Sequence, residues 1–227
     1  MAFKKKDFIE IEFVGKVKDG EIFDSNIKEI LEKEHLHQNT QPKPFILSLG
    51  EGMFLNGVED FLEGKEIGRY EIELEPEKAF GNRESKLIKL VPLRVFKEQN
   101  LQPIPGVLFN FDGQVGKVLS VSGGRITVDF NNPVAGKTVV YEVNVLRKLE
   151  DINEKAKAFL EFIFRKEIEF EIKGKKLILK VDEKFKKFSE LFKDKIKDML
   201  DLDLVVEEKK EEKKEANLQE NIEKKSQ

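Results

Sequence analysis

Apolar and polar residues alternate from Phe8 to Phe13 and resume at Val14 and Val17, a period of two that predicts a strand running into a turn at Asp19-Gly20. Ile22 and Phe23 return the chain as a second strand. A polar bulge holding His35 and His37 leads through Pro42 and Pro44 to a third, Phe45 to Leu49. Between Gly50 and Gly64 the apolar positions 54, 55, 58, 61 and 62 fall at helical spacing, predicting a short helix across the sheet. Strand periodicity returns from Tyr70 to Leu74, stops at Glu75-Pro76, and gives way to a loop at Ala79-Phe80-Gly81.

An apolar approach segment, Leu87 to Phe96, precedes Pro103 and Pro105, and then Val107, Phe109 and Phe111 alternate with polar positions. Turns at Asp112-Gly113 and Gly123-Gly124 separate this strand from Val115 to Val121 and from Ile126, Val128 and Phe130, which predicts a β meander. So small a sheet buries only one face, so as a set the surplus apolar side chains are expected to line an exposed groove, although any one of them taken singly reads better as core. After Leu149, Ile152, Ala156, Phe159, Leu160, Ile163 and Phe164 form a helical stripe behind the candidate caps Asp151 and Asn153. Ile168 to Ile172 and Leu177 to Val181 alternate as strands, Phe185 to Met199 is a second helical stripe, and Leu202 to Val206 predicts a last strand. This α-β-β-α-β unit is too small to be a comfortable monomer and is expected to pack or to dimerise through residues 152–206. From Glu207 the chain alternates Glu and Lys pairs, placing like charges four apart, and a solvated tail over 207–227 is expected.

Composition removes several classes of function. The 41 basic and 44 acidic residues leave a net charge of −3, which supplies no field for nucleic acid or an anionic membrane. No cysteine is present, so disulfides and thiolate metal sites are excluded. No apolar run approaches a membrane span or a secretion signal, and a cytoplasmic location is expected. His35 and His37 hold a metal weakly at best, and no cofactor or metal is expected.

Four segments taken in order, KDGEIFDS (18–25), LGEGMFLNGVEDFLEGKEIG (49–68), EKAFGNR (77–83) and NNPVAGKTVVYEVNVLRKLE (131–150), resemble the FKBP-type peptidyl-prolyl cis-trans isomerases. The roughly 50 residues between the third and fourth resemble the SlyD-like branch with its insert-in-flap domain, here in a long archaeal-type form with an extra C-terminal domain. The resemblance implies an α+β protein: an antiparallel half-barrel sheet around a short helix (1–83 plus 132–151), a small all-β flap insert (84–131), a C-terminal α/β domain (152–206) and a charged tail (207–227). It implies isomerisation of X-Pro bonds in unfolded or partly folded polypeptides, and chaperone activity on an insert surface for which Leu93, Phe96, Val107, Phe109 and Phe111 are the candidates.

Matched position by position, the family places Phe13, Phe23, Asp24, Phe80 and Tyr141 in the catalytic set. Phe45, Phe54, Leu55, Val58 and Val134 fall in the substrate pocket, with the Leu55 N–H offered to a substrate carbonyl. The chain departs from the family at Phe13 and Phe80, where Tyr is usual, at Val58, where Trp is common, and at Asn132, where SlyD-like members often carry His. Loss of two phenol hydroxyls implies slower catalysis. Asp24 stands as a pocket acid, the reading the family pattern favours, or as the start of a turn through Ser25 and Asn26, or as a helix cap. The alternative to an active isomerase is a binding-only chaperone with a vestigial pocket.

Overall fold

The computed structural model describes residues 1–36, 42–111 and 113–208. His37, Asp112 and the tail from residue 209, each of which entered the expectations above, lie outside the described residues. The chain divides into two compact units, one made of Met1–Lys5, Ile9–Phe45 and Leu49–Arg147, the other of Lys6–Phe8, Ile46–Ser48 and residues 148 onward.

Five strands form the main sheet: β1 (Phe8–Val17), β2 (Ile22–Ser25), β3 (Phe45–Ser48), β4 (Gly68–Leu74) and β9 (Val139–Lys148), in the order β2-β1-β9-β4 with β3 also on β1. Alternation puts Ile9, Ile11 and Phe13 of β1 and Val139, Tyr141, Val143 and Val145 of β9 on the buried side. The helix expected between Gly50 and Gly64 is α2 (Asn56–Leu62), with Val58 and Leu62 fully buried. The polar bulge is corrected: α1 (Lys28–Lys33) occupies its start, burying Leu31. One apolar anchor among charged neighbours leaves no helical periodicity to read.

The insert is a four-stranded antiparallel sheet, β5 (Ile88–Pro92), β6 (Leu108–Phe111), β7 (Gln114–Ser122) and β8 (Arg125–Asp129), in the order β5-β8-β7-β6. Its approach segment is not wholly extended. After Pro92 the chain turns into α3 (Leu93–Glu98), which delivers Phe96 into a core with Val118, Ile126 and Val128. Leu93, Phe109 and Phe111 pack against that core, and Phe96 stacks edge-on against Phe109 and Phe111 at 5.5 and 5.3 Å. This corrects the proposed client surface. Of its five residues, Phe96 is fully buried, Leu93, Phe109 and Phe111 are half-buried, and only Val107 is exposed. The aromatic alternation marks the core face because a helix closes over it, which no strand pattern announces.

In the second unit, α4 (Ile152–Phe164) is capped by the Asp151 carboxylate, which accepts from Glu154 N–H at 2.9 Å, and ends at Arg165 in the left-handed region. β10 (Phe170–Lys173) pairs antiparallel with β11 (Lys176–Val181), and β12 (Asp203–Glu208) lies parallel to β11. The expected single second helix is two, α5 (Glu183–Glu190) and α6 (Lys193–Leu200). Between them Leu191 and Phe192 donate to carbonyls three residues back, at Phe188 and Ser189. Such a tightened turn leaves the spacing of apolar residues helical, and Phe188 and Phe192 both reach Phe164, at 5.7 and 5.9 Å.

Candidate active site

Six of the aromatic positions singled out in the sequence converge. Tyr141 of β9 meets Phe54, the residue two before α2, at 5.5 Å, and meets Phe13 of β1 and Phe23 of β2 at 6.0 Å each. Phe54 also touches Phe13 at 4.8 Å and Phe45 of β3 at 5.8 Å, and Phe23 touches Phe80 at 5.5 Å. Tilted and edge-on contacts at these separations are the favourable aromatic geometry, so the rings lock one another without a polar scaffold. Phe13 and Tyr141 are buried, whereas Phe23, Phe45, Phe54 and Phe80 keep part of their surface in solvent. The cluster is therefore a greasy surface whose rim is accessible to solvent.

Asp24 is the carboxylate that meets this cluster: the Tyr141 hydroxyl donates to it at 3.5 Å. Burial pushes the Tyr141 phenol well above its ordinary range, and the Asp24 charge adds to that by stabilising the protonated donor. The sign for stability follows. An unfolded tyrosine ionises near pH 10, about its unperturbed value, while the folded one resists, so folding stability falls as the pH rises past about 10. In Tyr70→Phe, which leaves Tyr141 as the sole phenol, absorbance at 295 nm is expected to stay flat through that range until the protein unfolds. A reversible titration near 10 with the fold intact would contradict this environment.

The residues that follow Asp24 bond back to β1. Ser25 Oγ donates to Phe13 O at 2.8 Å, Asn26 Oδ1 accepts from Phe13 N–H at 2.8 Å, and Asn26 Nδ2 donates to Ile11 O at 2.9 Å. These bonds stitch the chain after β2 to β1 and leave Asp24 beside the rings. Gly15 completes the arrangement: a Cβ there would stand 2.9 Å from the Tyr141 ring and 3.2 Å from Phe23, so only glycine lets the ring lie across β1.

Leu55 is the half-exposed N-cap of α2, Val58 is fully buried, and Val134 is buried in the segment before β9. Val134 N–H donates to Asn132 Oδ1 at 3.0 Å. The roots of the insert are tied together nearby. Asp129 accepts from Arg83 and from Asn131 N–H and Nδ2 at 3.0 and 2.6 Å, and Asn131 exchanges hydrogen bonds with the backbone of Glu84 at 2.8 and 3.0 Å. Although burial opposes it, the Asn131 donors and Arg83 hold the Asp129 carboxyl below its usual range. This clip was not legible in the sequence, because its partners lie about 46 positions apart. Glu59 was also missed. It is buried and accepts hydrogen bonds from backbone N–H groups of the preceding loop.

Elsewhere in this unit a cleft of about 500 Å³ is lined by Glu12, Val14, Ile27, Arg69, Tyr70, Glu71, Glu142, Val143 and Asn144. Among the described residues no cluster of three or more metal-ligating side chains occurs, and no helix is long and apolar enough to cross a membrane.

A family model described as the IF domain of FKBP26 matches residues 89–134, the span of the four-stranded insert. The chain is 36% identical over 110 residues to an FKBP-type 16 kDa peptidyl-prolyl cis-trans isomerase of Escherichia coli K12, covering 46% of this chain and 73% of that one. It belongs to the FKBP-type peptidyl-prolyl cis-trans isomerases. A short-type peptidyl-prolyl cis-trans isomerase of Methanocaldococcus jannaschii is 28% identical over 144 residues, covering 63% of this chain and 91% of that one. A SlyD of Helicobacter pylori is 27% identical over 134 residues, 57% of this chain and 72% of its own. A structure of the three FKBP domains of wheat FKBP73 is loosely similar, with a TM-score of 0.35 and 15% identity over 66% of this chain and 42% of that one.

Proposed function

We propose that the ring-lined surface takes up the prolyl side of an X-Pro bond and speeds its rotation, with Asp24 and Tyr141 at its polar end. Rotation is slow because twisting the amide forfeits resonance, a barrier of about 18 to 20 kcal/mol that leaves uncatalysed X-Pro exchange at tens to hundreds of seconds. The planar amide carries more charge separation than the twisted one, so a site that grips the ring and strips water from the carbonyl favours the twisted form. Phe13, Phe23, Phe45, Phe54, Phe80 and Tyr141 supply that surface, Val58 and Val134 its aliphatic surroundings, and the Leu55 N–H a donor for the substrate carbonyl. The observation that carries this reading is the unbroken chain of ring contacts from Phe80 through Phe23, Tyr141 and Phe54 to Phe45. Phe13 and Phe80 lack the hydroxyls usual in the family, but Tyr141 retains a donor to Asp24.

Exchange NMR on a short Ala-Phe-Pro peptide tests it. Intact protein is expected to accelerate cis-trans exchange, and Asp24→Ala to do so at least tenfold less. No acceleration by the intact protein would leave the pocket vestigial and favour the binding-only chaperone.

A second activity, holding of unfolded chains by the insert, is favoured by the sheet face opposite α3. Leu90, Leu108 and Val115 are 64, 54 and 51% exposed there, on the side away from Val91, Phe109 and Ile126. That face, rather than the five residues chosen from the sequence, is the surface we assign to unfolded clients. In the second unit, Phe188 and Leu191 are the exposed apolar side chains that self-association through residues 152–206 would use.

A further inference from the structure

We propose that Glu59 is a positioning residue for isomerisation, one that fixes the Phe54 floor of the pocket from beneath; this rests on the pocket reading above. Glu59 carries a carboxylate and is only 1% exposed. Its charge is met by the backbone. Oε2 accepts from the N–H groups of Gly50, Glu51 and Gly52 at 2.8, 3.0 and 3.1 Å, and Oε1 accepts from Phe54 N–H at 2.7 Å. One side chain thereby organises the whole loop between β3 and α2, whose sharp path needs left-handed backbone at Gly50 and Gly52.

A buried anion is tolerable only when fully hydrogen-bonded, and bonds to a charged acceptor are about twice as strong as neutral ones. The loop and the carboxylate are thus mutually obligatory. The consequence for function lies in what the loop ends on. Phe54 bears three of the ring contacts in the cluster, to Phe13, Phe45 and Tyr141, and its own N–H is the one bound by Oε1. Leu55, the proposed donor to substrate, follows directly. Glu59 thus acts through the loop.

Glu59→Gln separates this role from general support. The amide keeps the shape but turns an NH₂ toward backbone donors, so the loop is released. If the pocket is then complete for only a fraction of the time, apparent affinity falls by that fraction while turnover of the bound peptide is retained. General unfolding does the reverse, lowering kcat in proportion to lost protein and leaving KM unchanged. Exchange NMR on the full chain across a concentration series of the Ala-Phe-Pro peptide should give a KM raised about tenfold with kcat within twofold, a conservative share of one lost charge-assisted bond. Amide hydrogen exchange at Gly50, Gly52 and Phe54 should rise while that of β9 does not.

Should Glu59→Gln fail to fold, Gly52→Ala replaces it. At φ +68° its new Cβ meets nothing nearer than Asn56 Oδ1 at 3.7 Å, so the strain is confined to the loop backbone. KM is then expected to rise about two- to fivefold, in line with roughly 1 kcal/mol of left-handed strain. Wild-type KM and wild-type loop exchange in a folded Glu59→Gln, or wild-type KM in Gly52→Ala where Glu59→Gln does not fold, overturns the proposal. If the unaltered protein fails to accelerate the peptide, it is the pocket reading that falls, and loop exchange in Glu59→Gln still decides whether this carboxylate holds the loop.

Discussion

Phe96→Ala is expected to open the insert while leaving isomerisation of a short peptide within about twofold of the unaltered protein. Phe96 is fully buried in a core whose other fully buried members are Val118, Ile126 and Val128, and its ring bears on Phe109 and Phe111. Removing such a ring costs about 3 to 5 kcal/mol, and a sheet with so small a core has little reserve. The rings of the proposed pocket belong to β1, β2, β3, β9 and the loops around α2 and after β4, and none of them is among the residues of the Phe96 cluster. Amide exchange should accelerate across β5 to β8 and remain slow in β1 and β9, and suppression of aggregation of an unfolded client should be lost. Slow exchange retained in β7 and β8 would show that the insert does not depend on this residue. Leu108→Ser provides the contrast: it lies on the open face, so the insert stays folded and only client holding declines. Wild-type holding by Leu108→Ser would remove the open face as the client surface.

Tyr141→Ala should be the most damaging single change in the isomerase unit. The side chain is 1% exposed, touches three other rings, and reaches Asp24 through its hydroxyl. The lost ring predicts about 3 to 5 kcal/mol of stability, read as a lower urea midpoint with an unchanged slope. Where the variant remains folded, peptide isomerisation should fall by at least a hundredfold, because the cavity opens in the middle of the proposed pocket. Tyr141→Phe divides the effect. It keeps the ring contacts and loses a hydrogen bond that is long at 3.5 Å, so stability should change by about 0.5 to 1.5 kcal/mol while isomerisation falls several-fold. Equal activity of Tyr141→Phe and the unaltered protein would confine the hydroxyl to a structural part and leave Asp24 to act without it.

Strands with one buried face were legible because a period of two is imposed by the pleat itself: Ile9, Ile11 and Phe13 alternate, and β1 buries them. Asp151 before an amphipathic stripe was equally legible, since a cap is a local bond. The aromatic positions of the site could be listed from motif order, but not the contacts that join them, which span up to 128 positions between Phe13 and Tyr141. Phe96 and Glu59 show where pattern misleads. Each belongs to a short helix whose burying partner arrives from elsewhere, so an apolar residue taken as surface is core, and an acid to which the pattern gave no role is enclosed by the loop it organises. The single break in the second C-terminal helical stripe belongs to the same class, because a tightened turn leaves apolar spacing unchanged. The sequence by itself determined the strands, the turns, the order of the motifs and the chemical poverty of the site, all of which depend on neighbours within a few residues. Which face of the insert is open, how six rings meet one acid, and what sustains a buried carboxylate were decided by the tertiary structure, because each depends on atoms that only long-range packing brings within a few ångströms.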